Sequence, residues 1–171
     1  MKFIADGMLG KLTRWLRMLG QDVEYSKSLY DEQLVKTAKT ENRILLTRDL
    51  KLYQRARKQG VDTALIEDAT KAEKLAGLAS RFNFKLEIDI MVSRCPKCNT
   101  PIKPVSKDEI VDRIPKATAT HYNEFWECSG CGQLYWQGSH WNRIEKTLRD
   151  ARQALRSESV SNKSRGSPEK I

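Results

Sequence analysis

The stretch that decides the fold of this chain is Arg43-Ile44-Leu45-Leu46-Thr47-Arg48-Asp49. A short apolar run that ends at an aspartate is typical of a buried strand followed by the start of a helix. Similar runs occur at Phe3-Ile4-Ala5 and Thr63-Ala64-Leu65-Ile66, and Val23-Glu24-Tyr25 predicts a further strand. Segments with helical periodicity separate these runs. Strands that alternate with helices predict an α/β fold with right-handed crossovers and an open, mostly parallel sheet.

Three aspartates follow the predicted strands. Asp6 closes the first strand, Asp31 comes after the second, and Asp49 ends the stretch quoted above. Because the carboxyl ends of parallel strands meet at one edge of a sheet, we expect these side chains to line one crevice. Carboxylate oxygens suit Mg²⁺ or Mn²⁺, and one or two such ions can activate water for phosphodiester cleavage. The arrangement predicts a catalytic acidic site.

A second interpretation of these acids is structural. Asp31 and Asp49 also stand where helix N-caps belong, and capping alone explains either residue. Asp6 favours the metal site, because an aspartate that closes a buried first strand has no comparable structural role. Asp68 follows the fourth predicted strand, beside Glu67, and is a further candidate acid.

All the cysteines of the chain belong to two C-x-x-C pairs, Cys95-Pro96-Lys97-Cys98 and Cys128-Ser129-Gly130-Cys131. Four thiolates are the ligand set of a structural zinc ion, with Zn–S bonds of about 2.3 Å. Two disulfides or a redox-active pair are the alternatives. Matched pairs are unusual for a redox motif, so we expect structural Zn²⁺ bound by Cys95, Cys98, Cys128 and Cys131.

Longer motifs resemble the Mut-seven-C RNase domain family, in which a PIN-like domain is followed by a zinc ribbon. In the first half these motifs are Phe3-x-x-Asp6-x-Met8-Leu9-Gly10-x-Leu12-x-Arg14-Trp15-Leu16-Arg17-x-Leu19-Gly20, Asp31-x-x-Leu34 and Arg43 to Asp49. In the second half they are Arg94 to Asn99, Arg113-Ile114-Pro115, Glu124-Phe125-Trp126-x-Cys128-x-x-Cys131-Gly132 and Tyr135-Trp136-x-Gly138-Ser139-His140-Trp141. The resemblance covers roughly residues 1–150. It implies a metal-dependent ribonuclease with acids at Asp6, Asp31 and Asp49.

The expected organisation has four parts. A PIN-like nuclease domain covers residues 1–93, a zinc ribbon residues 94–141, a basic helix residues 142–156 and a disordered tail residues 157–171. Within the first part, apolar residues alternate with polar ones from Leu86 to Val92, which predicts a half-buried strand. The tail lacks apolar periodicity.

The net charge of +9 suits a polyanionic partner, and the alternative is that the charge serves solubility alone. The candidate RNA-binding residues are Lys11, Arg14, Arg17, Arg48, Trp136, His140 and Arg143. The first three recur on one helix that begins beside Asp6, where they could contact phosphates or form an ordinary solvated face. Aromatic rings near the second cysteine pair could stack RNA bases or supply the core of a small ribbon.

The expected function is that of a Mg²⁺- or Mn²⁺-dependent endoribonuclease, with the ribbon aiding binding to RNA, such as rRNA, or to the ribosome. The alternative is a non-catalytic RNA- or ribosome-binding factor that keeps the fold. No glycine-rich phosphate loop supports nucleotide hydrolysis. The chain shows no signal-peptide pattern and no apolar run of membrane-spanning length, and free thiolates suit a reducing compartment. We therefore expect a cytoplasmic protein without a membrane partner.

Overall fold

The computed structural model describes residues 1–67 and 69–164, with side chains up to Ser157. The strands and helices follow one another as β1 (Lys2–Ala5), α1 (Gly10–Met18), β2 (Asp22–Tyr25), α2 (Asp31–Thr40), β3 (Ile44–Thr47), α3 (Leu50–Lys58), β4 (Thr63–Leu65), α4 (Lys71–Phe82), β5 (Ile102–Val105), α5 (Lys107–Ile110), α6 (Lys116–His121), β6 (Phe125–Cys128), β7 (Leu134–Tyr135) and α7 (Trp141–Ser164). Two compact units result. One comprises Met1–Glu67 and Ile88–Ser139, and the other is built around α4 and α7. The domain limits expected at residues 93 and 141 stay predictions.

The first unit contains a four-stranded parallel sheet with the strand order β2-β1-β3-β4. The central strand β1 pairs with both neighbours, so that Phe3 lies opposite Val23 on one side and Ile44 on the other. Every residue of β3 is buried, as a strand covered on both faces requires. The predicted α/β fold is confirmed.

The strand order assigns the helices to faces of the sheet. The chain moves one way from β1 to β2 and the opposite way from β2 through β3 to β4. Right-handed crossovers therefore place α1 on one face and both α2 and α3 on the other. The core on the second face consists of Ile4, Leu34, Val35, Ala38, Leu45, Leu52, Ala56 and Val61. Helices α2 and α3 thus lie side by side.

The ribbon is a three-stranded antiparallel sheet with the order β5-β6-β7. Its small core contains Ile110, Ile114 and Phe125, and Trp136 packs against it. The rings of Phe125 and Trp136 are 6.4 Å apart at their centroids and tilted by 54°. A module this small has few aliphatic side chains to bury, so its aromatic rings supply much of the core.

The first cysteine pair is tied to the parallel sheet through Asn99. The Asn99 side chain accepts a hydrogen bond from the Val23 amide (3.1 Å) and donates one to Asp22 (2.8 Å). Asn99 has a φ of 74°, a left-handed conformation that asparagine tolerates better than most residues. The ribbon and the parallel sheet therefore belong to one compact unit.

The second unit is a pair of packed helices, α4 and α7. Helix α4 begins with a capping box, since Thr70 Oγ1 accepts from the Glu73 amide and Glu73 Oε2 accepts from the Thr70 amide. Leu148 and Ala151 of α7 are fully buried. Arg152 donates a 2.7 Å hydrogen bond to the Leu86 carbonyl, which ties the segment after α4 to α7.

The expected strand from Leu86 to Val92 is wrong. A turn occupies this region, in which Asp89 Oδ1 accepts from the Met91 amide and the Asp89 carbonyl accepts from the Ser93 amide. Aspartate side chains compete with strand pairing by bonding nearby amides in this way. Met91 and Val92 are 80% and 59% exposed, so the apolar alternation does not mark a buried face.

Helix α7 is longer than expected. It extends to Ser164, whereas the sequence favoured a helix that ends at residue 156 and a disordered tail from 157. Propagating an existing helix costs far less than starting one, and neither glycine nor proline interrupts the chain before Gly166. The last part of the expected tail, residues 165–171, lies outside the described residues.

Candidate acidic site and zinc-binding group

Asp6 lies at the carboxyl end of β1 and is only 7% exposed. Its Oδ2 accepts hydrogen bonds from the Thr47 hydroxyl (2.5 Å) and the Arg48 amide (3.0 Å), both at the end of β3. Its Oδ1 accepts from the Met8 amide (2.8 Å) and so caps the 3-10 turn Gly7–Leu9. The expectation that Asp6 has no structural role is wrong, because its carboxylate joins two strand ends and a turn.

Asp49 stands next to Asp6 in the same hydrogen-bond network. Its own amide donates to the Thr47 hydroxyl (2.9 Å), so Thr47 links the two aspartates. Asp49 Oδ1 accepts from the amides of Lys51 (2.7 Å) and Leu52 (3.1 Å), which makes Asp49 the N-cap of α3. The capping alternative is confirmed for this residue. Because both amides bond Oδ1, capping leaves Asp49 Oδ2 for other chemistry.

Asp31 is the first residue of α2 and does not cap it, since Tyr30 takes the N-cap position. The Asp31 carboxylate lies 3.8 Å from the Arg55 guanidinium of α3, and both side chains are nearly half exposed. An exposed pair at this distance is weak. Asp31 therefore lies beside α3 but is only weakly held by Arg55.

The three aspartates do not lie together as a ready-made metal cluster. Within residues 1–67 and 69–164, the group of three or more ligands close enough to hold one ion is formed by the four cysteines. Mg²⁺ needs fewer protein ligands, because one or two carboxylates complete its shell with water and phosphate oxygens. Thr47 joins the Asp6 carboxylate to the backbone amide of Asp49, and a shared ion between the two carboxylates stays a prediction. Glu67 is exposed just after β4, and Asp68 lies outside the described residues.

Exposed apolar side chains accompany the acids, a feature that the sequence analysis missed. Met8, Tyr30 and Leu50 are 70%, 78% and 54% exposed. Each stands within two residues of one of the three aspartates in the chain. Such residues are candidates for a binding surface where they form one contiguous patch. Their signal in the sequence was an apolar residue at a helix start, where a polar one is usual.

Among the predicted RNA-binding cations, Lys11 and Arg14 are exposed on α1, and Arg48 is exposed beside Asp49. These positions agree with a basic flank of the acidic edge. Because Lys11 and Arg14 are three residues apart on a helix, their spacing in the sequence already predicts that they share one face.

Arg17 does not belong to that face, and its expected contact with RNA is wrong. Only 5% of Arg17 is exposed. It donates to the carbonyl of Val23 (2.7 and 3.1 Å) and to the carbonyls of Pro96 (3.1 Å) and Lys97 (3.2 Å). Residues six apart on a helix lie about 120° apart around the axis, so Arg17 turns away from Lys11 and braces the first cysteine pair. Burial lowers the pKa of this guanidinium from its ordinary value.

The four cysteine sulfurs all lie within 4.8 Å of one another. Cys95 and Cys131 are 3.7 Å apart, and Cys98 and Cys128 are 3.3 Å apart. Thiolates around a tetrahedral zinc ion with bonds of about 2.3 Å are separated by about 3.8 Å. The donor type and these distances fit a metal such as zinc.

Neighbouring groups tune the cysteines. The Thr100 hydroxyl lies 3.5 Å from Cys98 Sγ, and this hydrogen bond lowers the pKa of the Cys98 thiol to about 6. Burial raises the pKa of the Cys128 thiol to about 12. Burial also raises the pKa of Tyr135, so its phenol stays protonated and can donate to Cys95 Sγ at 3.0 Å. A bound cation would favour the thiolates that burial alone disfavours.

The remaining RNA-binding candidates lie near the ribbon and in the second unit. Trp136 is half-buried against the ribbon core, which is the structural role that the sequence left open. His140 is exposed, and its carbonyl accepts from the amides of Arg143 and Ile144 at the start of α7. Arg143 is exposed. Contact of these three residues with RNA stays a prediction.

Comparison with known protein families identifies one match that covers most of the chain. A family model described as the Mut7-C RNAse domain matches residues 1–148 of the 171. Neither a curated protein nor a solved structure matches the chain. None of the helices described is both long and apolar enough to cross a membrane. The family's description points to ribonuclease activity and to RNA as substrate. The chain belongs to the Mut7-C RNAse domain family.

Proposed function

We propose that this protein is a Mg²⁺- or Mn²⁺-dependent endoribonuclease that cuts RNA at the carboxyl edge of its parallel sheet. The observation that carries the proposal is the hydrogen-bonded series Asp6, Thr47 and Asp49 across the ends of β1 and β3. It supports the proposal because it joins the Asp6 carboxylate to the backbone at Asp49, beside adjacent strand ends, where ligands bind in open α/β sheets.

The three acidic side chains would have different roles. Asp6 is fixed by three hydrogen bonds and would hold the ion with little loss of conformational freedom. Asp49 would add Oδ2, and Asp31 would orient a water or the ion's own waters from the α2 side. When bound, the divalent ion would supply a more acidic water and charge stabilisation at the phosphodiester.

RNA would be held by groups around this edge. The cations Lys11, Arg14 and Arg48 are exposed there and suit phosphates. Tyr30, with Met8 and Leu50 as apolar neighbours of the other acids, suits an unpaired base, because stacking needs an accessible ring face. The zinc ribbon would aid RNA or ribosome binding as a structural module.

Asp49→Asn is the sharpest test of catalysis. Asparagine caps a helix as well as aspartate does, so the variant keeps the bonds to Lys51 and Leu52 but loses the charge. We expect cleavage of single-stranded and structured RNA to fall by at least about 100-fold, with the melting temperature unchanged. Asp112→Asn, an exposed acid of the ribbon segment, is the matched control. Cleavage by Asp49→Asn at the control's rate would overturn the assignment.

Metal dependence needs its own control, because a chelator can also remove zinc. Protein treated with EDTA should regain cleavage when Zn²⁺ is restored together with Mg²⁺ or Mn²⁺, and not with Zn²⁺ alone. Full activity with Zn²⁺ alone would contradict a Mg²⁺ or Mn²⁺ site.

A non-catalytic RNA- or ribosome-binding factor is the second candidate. It is favoured by the hydrogen bonds that already engage both oxygens of Asp6 and by the Asp31–Arg55 pair. RNA binding without cleavage under any of these metal conditions would support it.

A further inference from the structure

A groove separates α2 from α3 on the face of the sheet opposite α1. It encloses a cavity of about 420 Å³, lined by Lys36 and Lys39 of α2 and by Arg55 of α3, with Val35 at its base. The two helices lie next to each other because Leu34, Val35 and Ala38 of α2 share one core with Leu52 and Ala56 of α3. The groove is therefore a fixed feature of the fold.

The groove is predominantly basic. Lys36, Lys39 and Arg55 are exposed, and Glu32 is the acid that lines it with them. Within the part of the chain that the structure describes, neither lysine has a carboxylate within 4.0 Å. Two cations without ion-pair partners on one side of a helix raise the local potential for an anion.

One end of the groove reaches the acidic edge. Arg55 lines it and also lies 3.8 Å from Asp31, the first residue of α2. Lys36 and Lys39 follow along α2, about one turn apart, so they face the same side. At the far end Lys39 also lines a second cavity of about 430 Å³ together with Lys2 and Arg43.

That second cavity adds little charge of its own. Arg43 already donates to Asp22 (2.9 Å), Glu41 (2.6 Å) and the Phe3 carbonyl (3.2 Å). Asp62 lines the same cavity and offsets Lys2. The cations available to a polyanion are those between the acidic edge and Lys39.

We propose that the α2–α3 groove binds the phosphate backbone of the RNA strand that leads away from the acidic edge. The proposal rests on the proposed function for the identity of the polyanion as RNA. The groove supplies a row of cations that begins beside Asp31 and runs along the sheet face opposite the α1 cations. It assigns Lys36 and Lys39 to phosphate contacts.

Binding is measured in the Asp49→Asn background, in which RNA stays intact. Lys36→Ala/Lys39→Ala should weaken binding of a labelled single-stranded RNA about tenfold near physiological salt. It should also flatten the slope of log K against log salt by about 1.4, because each phosphate contact contributes about 0.7 for a single strand. Lys36→Arg/Lys39→Arg should restore both values, since arginine also contacts phosphate.

The matched control removes two positive charges elsewhere. Lys85→Ala/Lys116→Ala has the same net charge, and both lysines are exposed. If the groove variant binds with the affinity and slope of this control, the proposal is overturned. Lys11→Ala/Arg14→Ala tests the α1 face separately, and a loss confined to that variant would place the strand there and overturn the groove.

The outcomes separate the two proposals. If the groove variant binds RNA more weakly and the native chain does not cleave RNA, the groove proposal is supported and the nuclease proposal is overturned. If Asp49→Asn loses cleavage and the groove variant binds RNA as the control does, the nuclease proposal is supported and the groove proposal is overturned. Alanine has the higher helix propensity, so the groove variant should fold, and thermal unfolding confirms it.

Discussion

Thr47 donates a 2.5 Å hydrogen bond to Asp6 Oδ2 and accepts one of 2.9 Å from the Asp49 amide. One hydroxyl thus connects an acid at the end of β1 with the first turn of α3. Thr47 is fully buried, so water cannot replace either bond. The position of the acidic site depends on this contact between two adjacent strand ends.

Removing the Thr47 hydroxyl should destabilise the protein. Thr47→Val keeps the volume but leaves Asp6 Oδ2 with one donor fewer and the Asp49 amide without its acceptor. We expect the free energy of unfolding to fall by about 2–3 kcal/mol. Urea denaturation measures it, and Thr47→Ser, which retains the hydroxyl, should lose less than about 1 kcal/mol. Equal losses in both variants would show that the hydroxyl contributes no more to stability than the methyl group does.

Asp6→Asn should behave differently from Asp49→Asn. The Asp6 carboxylate accepts from three donors, on both oxygens, so an amide group must point its own N–H towards at least one of them. The variant should lose about 1–3 kcal/mol of unfolding free energy, where Asp49→Asn loses almost none. Thermal or urea unfolding of the two variants side by side measures the difference. Unchanged stability of Asp6→Asn would mean that these hydrogen bonds contribute little.

Zinc binding should stabilise the folded ribbon, and loss of zinc should also loosen the neighbouring edge strand β2. Elemental analysis should find one zinc per chain, and Cys95→Ser or Cys128→Ser should release it, because metal binding supplies folding energy in such modules. The parallel sheet should stay folded. The Val23 amide, which donates to Asn99 beside the first cysteine pair, should exchange its hydrogen faster. Ser129→Ala, between two ligands, is the control, and zinc-free native protein would refute the prediction.

Asp22 should contribute stability that acid removes. Despite partial burial, which acts to raise it, the pKa of Asp22 is lowered from 3.8 by hydrogen bonds from Arg43 and Asn99. A carboxyl whose folded pKa is depressed stabilises the protein above the unfolded pKa, and this contribution disappears as pH falls through the folded value. Asp22→Asn should therefore be less stable than the native chain above pH 3.8, and the gap should narrow below it. Both proteins lose zinc in acid, so the difference in unfolding free energy isolates Asp22.

Alanine variants of Tyr30 and Trp136 should distinguish a residue that stacks on an RNA base from one that packs in the ribbon core. Tyr30→Ala should weaken binding of unpaired RNA by about 1–3 kcal/mol without changing the salt slope, and Tyr30→Phe should bind normally. Trp136→Ala should instead lower the stability of the ribbon, because the indole packs on its core. Affinity at several salt concentrations and thermal unfolding distinguish the two effects. A Tyr30→Ala variant that binds as tightly as Tyr30→Phe would remove the stacking role.

Local patterns were enough to predict several parts of this molecule. The apolar run that ends at Thr47 marks a buried strand, because this pattern depends only on neighbours in the chain. The two C-x-x-C pairs predicted that four sulfurs come together where they could hold a metal. The spacing of Lys11 and Arg14 also placed them on an exposed face.

Other expectations failed or were absent because they depend on distant residues. Arg17 follows the spacing of Lys11 and Arg14, yet it is buried, since Pro96 and Lys97 supply its acceptors. The apolar alternation from Leu86 to Val92 predicted a strand, but a turn at Asp89 forms there instead.

Local patterns in the sequence predicted the parallel α/β order of the first unit, the four cysteines that come together and the three aspartates that follow strands. Periodicity and ligand chemistry are local properties, so they can be recognised without knowing which distant residues are in contact. Only the tertiary structure decided that Thr47 links Asp6 to Asp49 and that the cations of α2 and α3 form one groove. Those relationships arise when strands and helices far apart in the chain become neighbours, which depends on strand order and crossover handedness.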